Sequence, residues 1–299
     1  MSEMVLRDAA EEFLTYIGGV RNFSPNTVLS YREDLEKLCN LVGWEKDITQ
    51  VNYDDFSLLI ASLSQQDYAV TSINRIIVAI RSFFRYCHKF GLITKNPSLR
   101  LKTLRAPNPM PQFLFQTEVD RLCEMPDERP LLWPERDKAL FEVFYSTGCR
   151  VSEMASLKVS DLACDLSSAM VLGKGNKQRR VFIAEDAVNA LKVYLKSAES
   201  KNFSLEGRLF LNSNGGPLTV QGIRYILNRY SGIEGTNRPI SPHTLRHTFA
   251  TACLSNGADI RVVQELLGHE NISTTQRYTH ITTAQLINTY NQAHPHGRG

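Results

Sequence analysis

The sequence predicts two domains: an all-α domain over residues 1–105 and a mixed α+β, mainly helical domain over 112–299, joined by a linker at 106–111. The length of 299 residues amounts to about two domains at the usual ~150 residues each. The first hundred residues show only helical periodicity. The segment Lys95–Gln112 (KNPSLRLKTLRAPNPMPQ) then holds four prolines and four bases with no clear period, and beyond it the pattern becomes mixed.

Each element has its own local signal. Leu6 to Ile17 carries apolar residues at helical spacing. Ser24-Pro25 starts a second helix, a capping hydroxyl followed by proline at the first helical position, and this helix runs to about Val42, before Gly43. Tyr53 to Leu63 is the third helix. Val70 to Phe90 is the fourth, with Ile73, Ile76, Ile77, Ile80, Phe83, Phe84 and Cys87 on its apolar stripe. Arg81, Arg85 and Lys89 recur every four residues and share another stripe. Half core and half cationic is what a helix lying along a phosphate backbone needs; a solvated face uses the same residues. In the second domain, helices are expected at 117–125, 135–146 and 151–157, and strands at 169–173 and 179–184 around the turn KGNKQ. Helices follow at 185–197, 219–230, 242–256, 259–267 and 283–291.

Composition narrows the function classes. At 42% hydrophobic and 22% charged residues, the chain is an ordinary globular protein and no disordered tail or fibre. It has no apolar run of the ~18 residues needed to span a membrane. The start, MSEMVLRDAAEEF, is acidic and amphipathic, unlike a signal peptide, so the cytoplasm is the expected compartment and no membrane partner is expected. Cys39, Cys87, Cys123, Cys149, Cys164 and Cys253 are scattered singly, without zinc spacing. They read as small buried thiols in a reducing compartment, and no metal site is expected.

The net charge is only +3, yet its distribution is uneven. Between Asp67 and Glu118 there is no acid and there are eight bases. A second acid-free stretch, Gly235 to Ala258, holds Arg238, His243, Arg246 and His247. Local fields of one sign attract polyanions.

Nucleotide and hydrolase motifs are missing: GKGNK lacks the spacing of a phosphate loop, and there is no GxGxxG, HExxH or GxSxG. What stands out is a set of cations and histidines. Ser241-Pro242 repeats the helix-start signal, and His243, Arg246 and His247 follow on one face of the first turns. A guanidinium and an imidazole at a helix N-terminus form a ready phosphate site. LLGH places His269 after a helix, and QRYTH places Tyr278 nine residues later. TGCRVSE sets Arg150 at the start of a helix with Glu153 one turn on, and GKG puts Lys174 in the turn between the strands.

In that order and spacing the strings TGCRVSE, GKGNKQRRV, HTLRHTFAT, QELLGH and STTQRYTH resemble the tyrosine recombinase (lambda-integrase-like) family, and within it the Xer group of site-specific recombinases. The resemblance covers nearly the whole chain. It implies a SAM-like helical bundle as the core-binding domain, followed by a catalytic domain, the two clamping DNA. It places the catalytic set at Arg150, Lys174, His243, Arg246, His269 and Tyr278, with Tyr278 the nucleophile and Glu153 supporting Arg150. Arg81, Arg85, Lys89, Lys177 and Arg179 are expected to touch DNA. It implies no cofactor, a double-stranded recombination site as substrate, and four protomers, identical or shared with a paralogous recombinase, exchanging strands through a Holliday junction. It further implies resolution of chromosome dimers at cell division, a septal DNA translocase as a further partner, and docking of the segment after Tyr278 on a neighbouring protomer.

The chemistry suits these residue types. Breaking a phosphodiester while keeping its energy requires a covalent phosphoenzyme, for which a phenol is both nucleophile and leaving group. Two arginines can clamp the nonbridging oxygens, a lysine can protonate the departing 5′-oxygen, and imidazoles near neutral pKa can move the phenol's proton. A phage or transposon integrase and a type IB topoisomerase share this chemistry, and a non-catalytic DNA-binding relative would share the fold. Integrases often add an arm-type DNA-binding domain, for which the short stretch before Ser24 leaves no room.

Overall fold

The computed structural model describes residues 4–106, 113–173, 177–231, 240–268 and 283–297. The chain divides into two compact units, Met1–Asn108 and Pro109–Gly299.

The first unit is helical: α1 (Leu6–Thr15), α2 (Pro25–Val42), α3 (Tyr53–Gln65) and α4 (Val70–Lys89). Ser24 Oγ accepts from Thr27 N at the start of α2, and Asn52 and Asp55 form a reciprocal cap on α3. Phe13, Leu35, Leu38, Phe56, Ile77, Ile80, Phe83 and Phe84 meet in the core. Each such side chain contributes about 1.5–3 kcal/mol by leaving water. The α1 helix ends at Thr15, earlier than its apolar spacing suggests, and continues as a π-helical turn, Tyr16–Val20.

The first half of the proline-rich segment packs on the first unit. Pro97–Arg100 wind a 3-10 turn capped by Asn96, and Leu101 is buried. Leu104 is bonded through its N–H and its carbonyl to the Asn74 side chain of α4, at 2.7 and 2.9 Å. A side-chain amide that offers both a donor and an acceptor fixes an extended peptide as a strand neighbour would. Of the expected linker, 107–111 lies outside the described residues.

The stripe on α4 has the exposure a backbone contact needs: Arg85 and Lys89 are exposed and Arg81 half-buried. Among the described residues neither Arg81 nor Arg85 has an ion-pair partner, while the Lys89 ammonium sits 5.3 Å over the Phe90 ring. If the stripe lies on phosphates, replacing all three by alanine is expected to weaken specific and random duplex alike. It should also flatten log affinity against log salt by up to about 0.9 per contact. An unchanged slope in the folded triple variant would mean that this face points to water.

The second unit contains α5 (Gln116–Glu128), α6 (Pro134–Thr147), α7 (Val151–Ser156), β1 (Ser168–Leu172), β2 (Gln178–Phe182), α8 (Glu185–Ser200), α9 (Val220–Tyr230), α10 (Pro242–Ser255), α11 (Ile260–Leu267) and α12 (Thr283–Ala293). The α6 helix is the axis of the unit, buried on every face from Ala139 to Thr147. It packs against α5, α8 and α10. The strands pair antiparallel from Ser168↔Phe182 to Leu172↔Gln178. Each starts one residue earlier than expected and the second ends at Phe182, two residues short, while the bond from Gly173 N to Lys177 O closes the turn end of the ladder. The α5 helix passes through Pro126, where the sequence suggests a stop; the proline falls in the last turn and breaks little.

The described part of the C-terminal segment, 283–297, packs on its own unit. The Tyr290 hydroxyl meets Ser146 Oγ at 2.7 Å, and the Tyr290 ring lies by Phe182 and Phe249. His294, fully buried, bonds Tyr145 O, and burial pushes its pKa down to about 3, so it is neutral. Five of the six cysteines are buried, in line with their reading as small buried thiols; Cys164, in the loop before β1, is exposed. No helix among the described residues is long and apolar enough to cross a membrane.

Candidate active site

Arg150, Glu153, Arg179 and Arg246 converge where α6, α7, β2, α10 and α11 meet. Gly148 ends α6 in the left-handed conformation, φ 58°. A Cβ there would stand 2.6 Å from the Phe249 ring, so only glycine lets α10 approach the turn this closely. Two residues later Arg150 caps α7 in an extended conformation. Its backbone N–H donates to Glu153 Oε2 and its Nη1 to Oε1, both at 2.8 Å. Glu153 is buried, while the Arg150 side chain is 36% exposed.

From β2, Arg179 reaches the other side of the same carboxylate. Nη1 donates to Oε1 at 2.8 Å and Nη2 to Oε2 at 2.9 Å. Burial pushes the Glu153 carboxyl up, but hydrogen bonds and charge from Arg179 and Arg150 outweigh it and hold the group below its usual range. It is a carboxylate at neutral pH.

The α11 helix draws the three arginines together. It ends at Leu267, with Gly268 left-handed at φ 64°, and the last carbonyls of a helix lack internal partners. Arg179 Nε donates to Leu266 O at 3.0 Å, Arg246 Nη2 to Leu267 O at 2.7 Å, and Arg150 Nη2 to Gly268 O at 3.2 Å. Three consecutive carbonyls thus take one guanidinium each, at the negative end of the helix dipole. Arg246 also donates to Gly148 O at 2.7 Å, which ties α10 to the end of α6.

This arrangement corrects the sequence reading at two positions. Helical spacing groups Arg246 with His243 and His247 on one face, but Arg246 is buried while His243 is exposed. The carbonyls of Gly148 and Leu267 draw the guanidinium inward. Arg179, expected on DNA, is turned inward with Nε, Nη1 and Nη2 all donating to protein, its side chain 14% exposed. Lys177 is exposed beside the hairpin turn. Lys174, His269 and Tyr278 lie outside the described residues.

The cluster has three guanidinium charges against the single carboxylate of Glu153. Arg246 registers the excess: burial, then the neighbouring charges of Arg150 and Arg179, push its pKa down to about 10. A half-buried site with surplus positive charge and guanidinium donors suits a phosphate. Among the described residues no group of three or more His, Cys, Asp or Glu side chains is placed to hold a metal ion.

The profile of the Phage integrase family matches residues 112–285, and that of the Phage integrase, N-terminal SAM-like domain matches 10–89. The chain belongs to this family, the tyrosine recombinases of the lambda-integrase type. Among its relatives, the tyrosine recombinase XerC of Treponema denticola is 42% identical over 307 residues, covering 97% of this chain and all of that one. The tyrosine recombinase XerD of Listeria monocytogenes is 37% identical, covering 97% of this chain and 99% of that one. The solved structure of the Tn1549 transposon integrase in complex with circular intermediate DNA has a TM-score of 0.72 at 20% identity, over 94% of this chain and 97% of that one. That likeness is one of fold.

Proposed function

We propose that this protein is a site-specific recombinase that cleaves and rejoins duplex DNA through a 3′-phosphotyrosine intermediate and a Holliday junction, resolving chromosome dimers in the cytoplasm. The observation that carries the reading is the arginine cluster, whose surplus charge calls for an anion in a family that acts on DNA.

Arg150 and Arg246 would hold the nonbridging oxygens of the scissile phosphate, each guanidinium keeping donors free beyond those bound to carbonyls. Glu153 fixes Arg150 for that task. The Tyr278 oxygen attacks phosphorus, the bond to the 5′-oxygen breaks, and Lys174 protonates that oxygen as it leaves. His243 and His269 bond the phosphate and take up the phenol's proton. A 5′-hydroxyl of the exchanging strand then attacks the phosphotyrosine and frees the enzyme. Four protomers, of this chain alone or with a paralogue, would hold two sites, and a septal translocase would act on that assembly. The names of the relatives support the Xer reading over that of a mobile-element integrase.

The test is a duplex nicked near the cleavage point, chosen from a randomised pool by the wild-type protein, which traps the covalent complex. An integrase or topoisomerase forms the same adduct, but a topoisomerase relaxes plasmids lacking the site. A DNA-binding relative without catalysis forms no adduct. On this substrate Lys174→Ala is expected to bind normally and cleave slowly, by about 10²–10⁴-fold. A 5′-bridging sulfur, which leaves without a proton, should recover most of that loss. No recovery would move Lys174 to a purely electrostatic role.

A further inference from the structure

We propose that Arg179 is a positioning residue of this site, fastening the hairpin that carries Lys174, the Arg150–Glu153 pair and the end of α11 into one unit. The inference rests on the recombinase reading for its effect on cleavage, but the geometry behind it does not.

Three contacts define the role. The fork of Nη1 and Nη2 on both Glu153 oxygens ties β2 to the start of α7. Nε on Leu266 O ties the same side chain to the last turn of α11. The aliphatic stem lies against Gly268: a Cβ there would meet Arg179 Cδ at 3.0 Å. Arg179 thus touches the residue just before His269 while it stands in a strand five residues past Lys174. With these donors turned to protein and the side chain largely buried, it is no phosphate contact. Lysine offers a point charge where this site uses a planar fork with a third, separate donor.

Without Arg179, Glu153 keeps only Arg150, and Leu266 O loses a charged donor. The Arg150 guanidinium and the α11 end are then held by fewer bonds, and a misplacement of about 1 Å costs about 10²-fold in rate. Binding of duplex should change little.

The experiment has two independent arms. In the first, Arg179→Ala and Arg179→Lys are measured for affinity to a random duplex across salt, and for adduct formation on the nicked duplex. The expected result is affinity within about threefold with an unchanged salt slope, and an adduct rate lowered about 100-fold in Arg179→Ala. Arg179→Lys should recover at most a tenth of it. Millimolar guanidinium, against sodium at equal ionic strength, should restore part of the Arg179→Ala rate. A merely destabilised fold would lose activity in the same solution. In the second arm, without DNA, hydrogen exchange should quicken at amides 264–268 and 150–153 in both variants.

A wild-type adduct rate in Arg179→Ala, or a flattened salt slope, overturns the proposal, as does unchanged exchange. If Arg179→Ala does not fold, Arg179→Lys is read by the same criteria. If the wild-type protein forms no adduct, the recombinase reading falls, and the exchange arm still decides whether Arg179 fastens the site.

Discussion

Replacing Tyr278 by phenylalanine is expected to abolish the covalent adduct, by at least about 10⁴-fold, with duplex affinity nearly unchanged. Only one oxygen is removed, and the ring remains. The structure narrows the substitutes. Of the other tyrosines in the second unit, Tyr145, Tyr194, Tyr230 and Tyr290 are buried, and burial is the first cause pushing each of their hydroxyls up. Tyr290 is further engaged with Ser146, and Tyr230 donates to Asp137. A buried, hydrogen-bonded phenol cannot reach a phosphate and ionises reluctantly. Tyr225, 56% exposed on α9, is the one that would be open to DNA. Peptide mapping of the adduct therefore has a sharp reading. Adduct on Tyr278→Phe would unseat Tyr278, and Tyr225 would be examined next.

The elements are legible in the sequence because their signals are local. Ser24-Pro25 and Ser241-Pro242 mark helix starts through the chemistry of one side chain and one fixed φ. The stripe from Ile73 to Cys87 marks a buried face by spacing alone. Proline content and missing periodicity do not show how Lys95–Arg105 is held, because the bond from Asn74 to Leu104 joins residues thirty apart in sequence. The site shows the same division. Arg150 and Glu153 lie one turn apart, so their pairing follows from helical geometry. Arg179 meets Glu153 across 26 residues and Leu266 across 87. No periodicity forecasts that, and a base beside a hairpin turn reads as a surface charge. Arg246 escapes the pattern for a related reason: the helical wheel fixes the angle at which a side chain leaves, whereas its burial depends on orphan carbonyls supplied by α6 and α11. A signal is nonetheless present. A Gly-ended helix just before His269 announces free carbonyls, and buried carbonyls require donors.

Arg246→Ala is expected to lower the adduct rate by about 10²–10³-fold, the usual consequence of losing one donor to developing charge on an oxyanion. It should also reduce stability, because the substitution strands the carbonyls of Gly148 and Leu267 in the interior at about 1–3 kcal/mol each. For a unit of this size each kcal/mol lowers Tm by about 2–4 °C, so rates are compared well below the variant's own melting range. Arg246→Lys separates charge from shape. A lysine at this position meets the same burial and the same neighbouring guanidinium charges of Arg150 and Arg179 that push Arg246 down to about 10. Starting from a lower intrinsic value, its pKa is driven toward neutrality. The charged form holds the phosphate and exists below that pKa. The lysine variant is therefore expected to lose activity as pH rises from about 7 to about 9, a range over which the wild-type arginine stays protonated. A flat pH profile for Arg246→Lys, with a rate near wild type, would show that the site needs neither the fork nor the second carbonyl bond. Arg246 would then be a structural cation, and the phosphate would have to be held by Arg150 with the exposed His243.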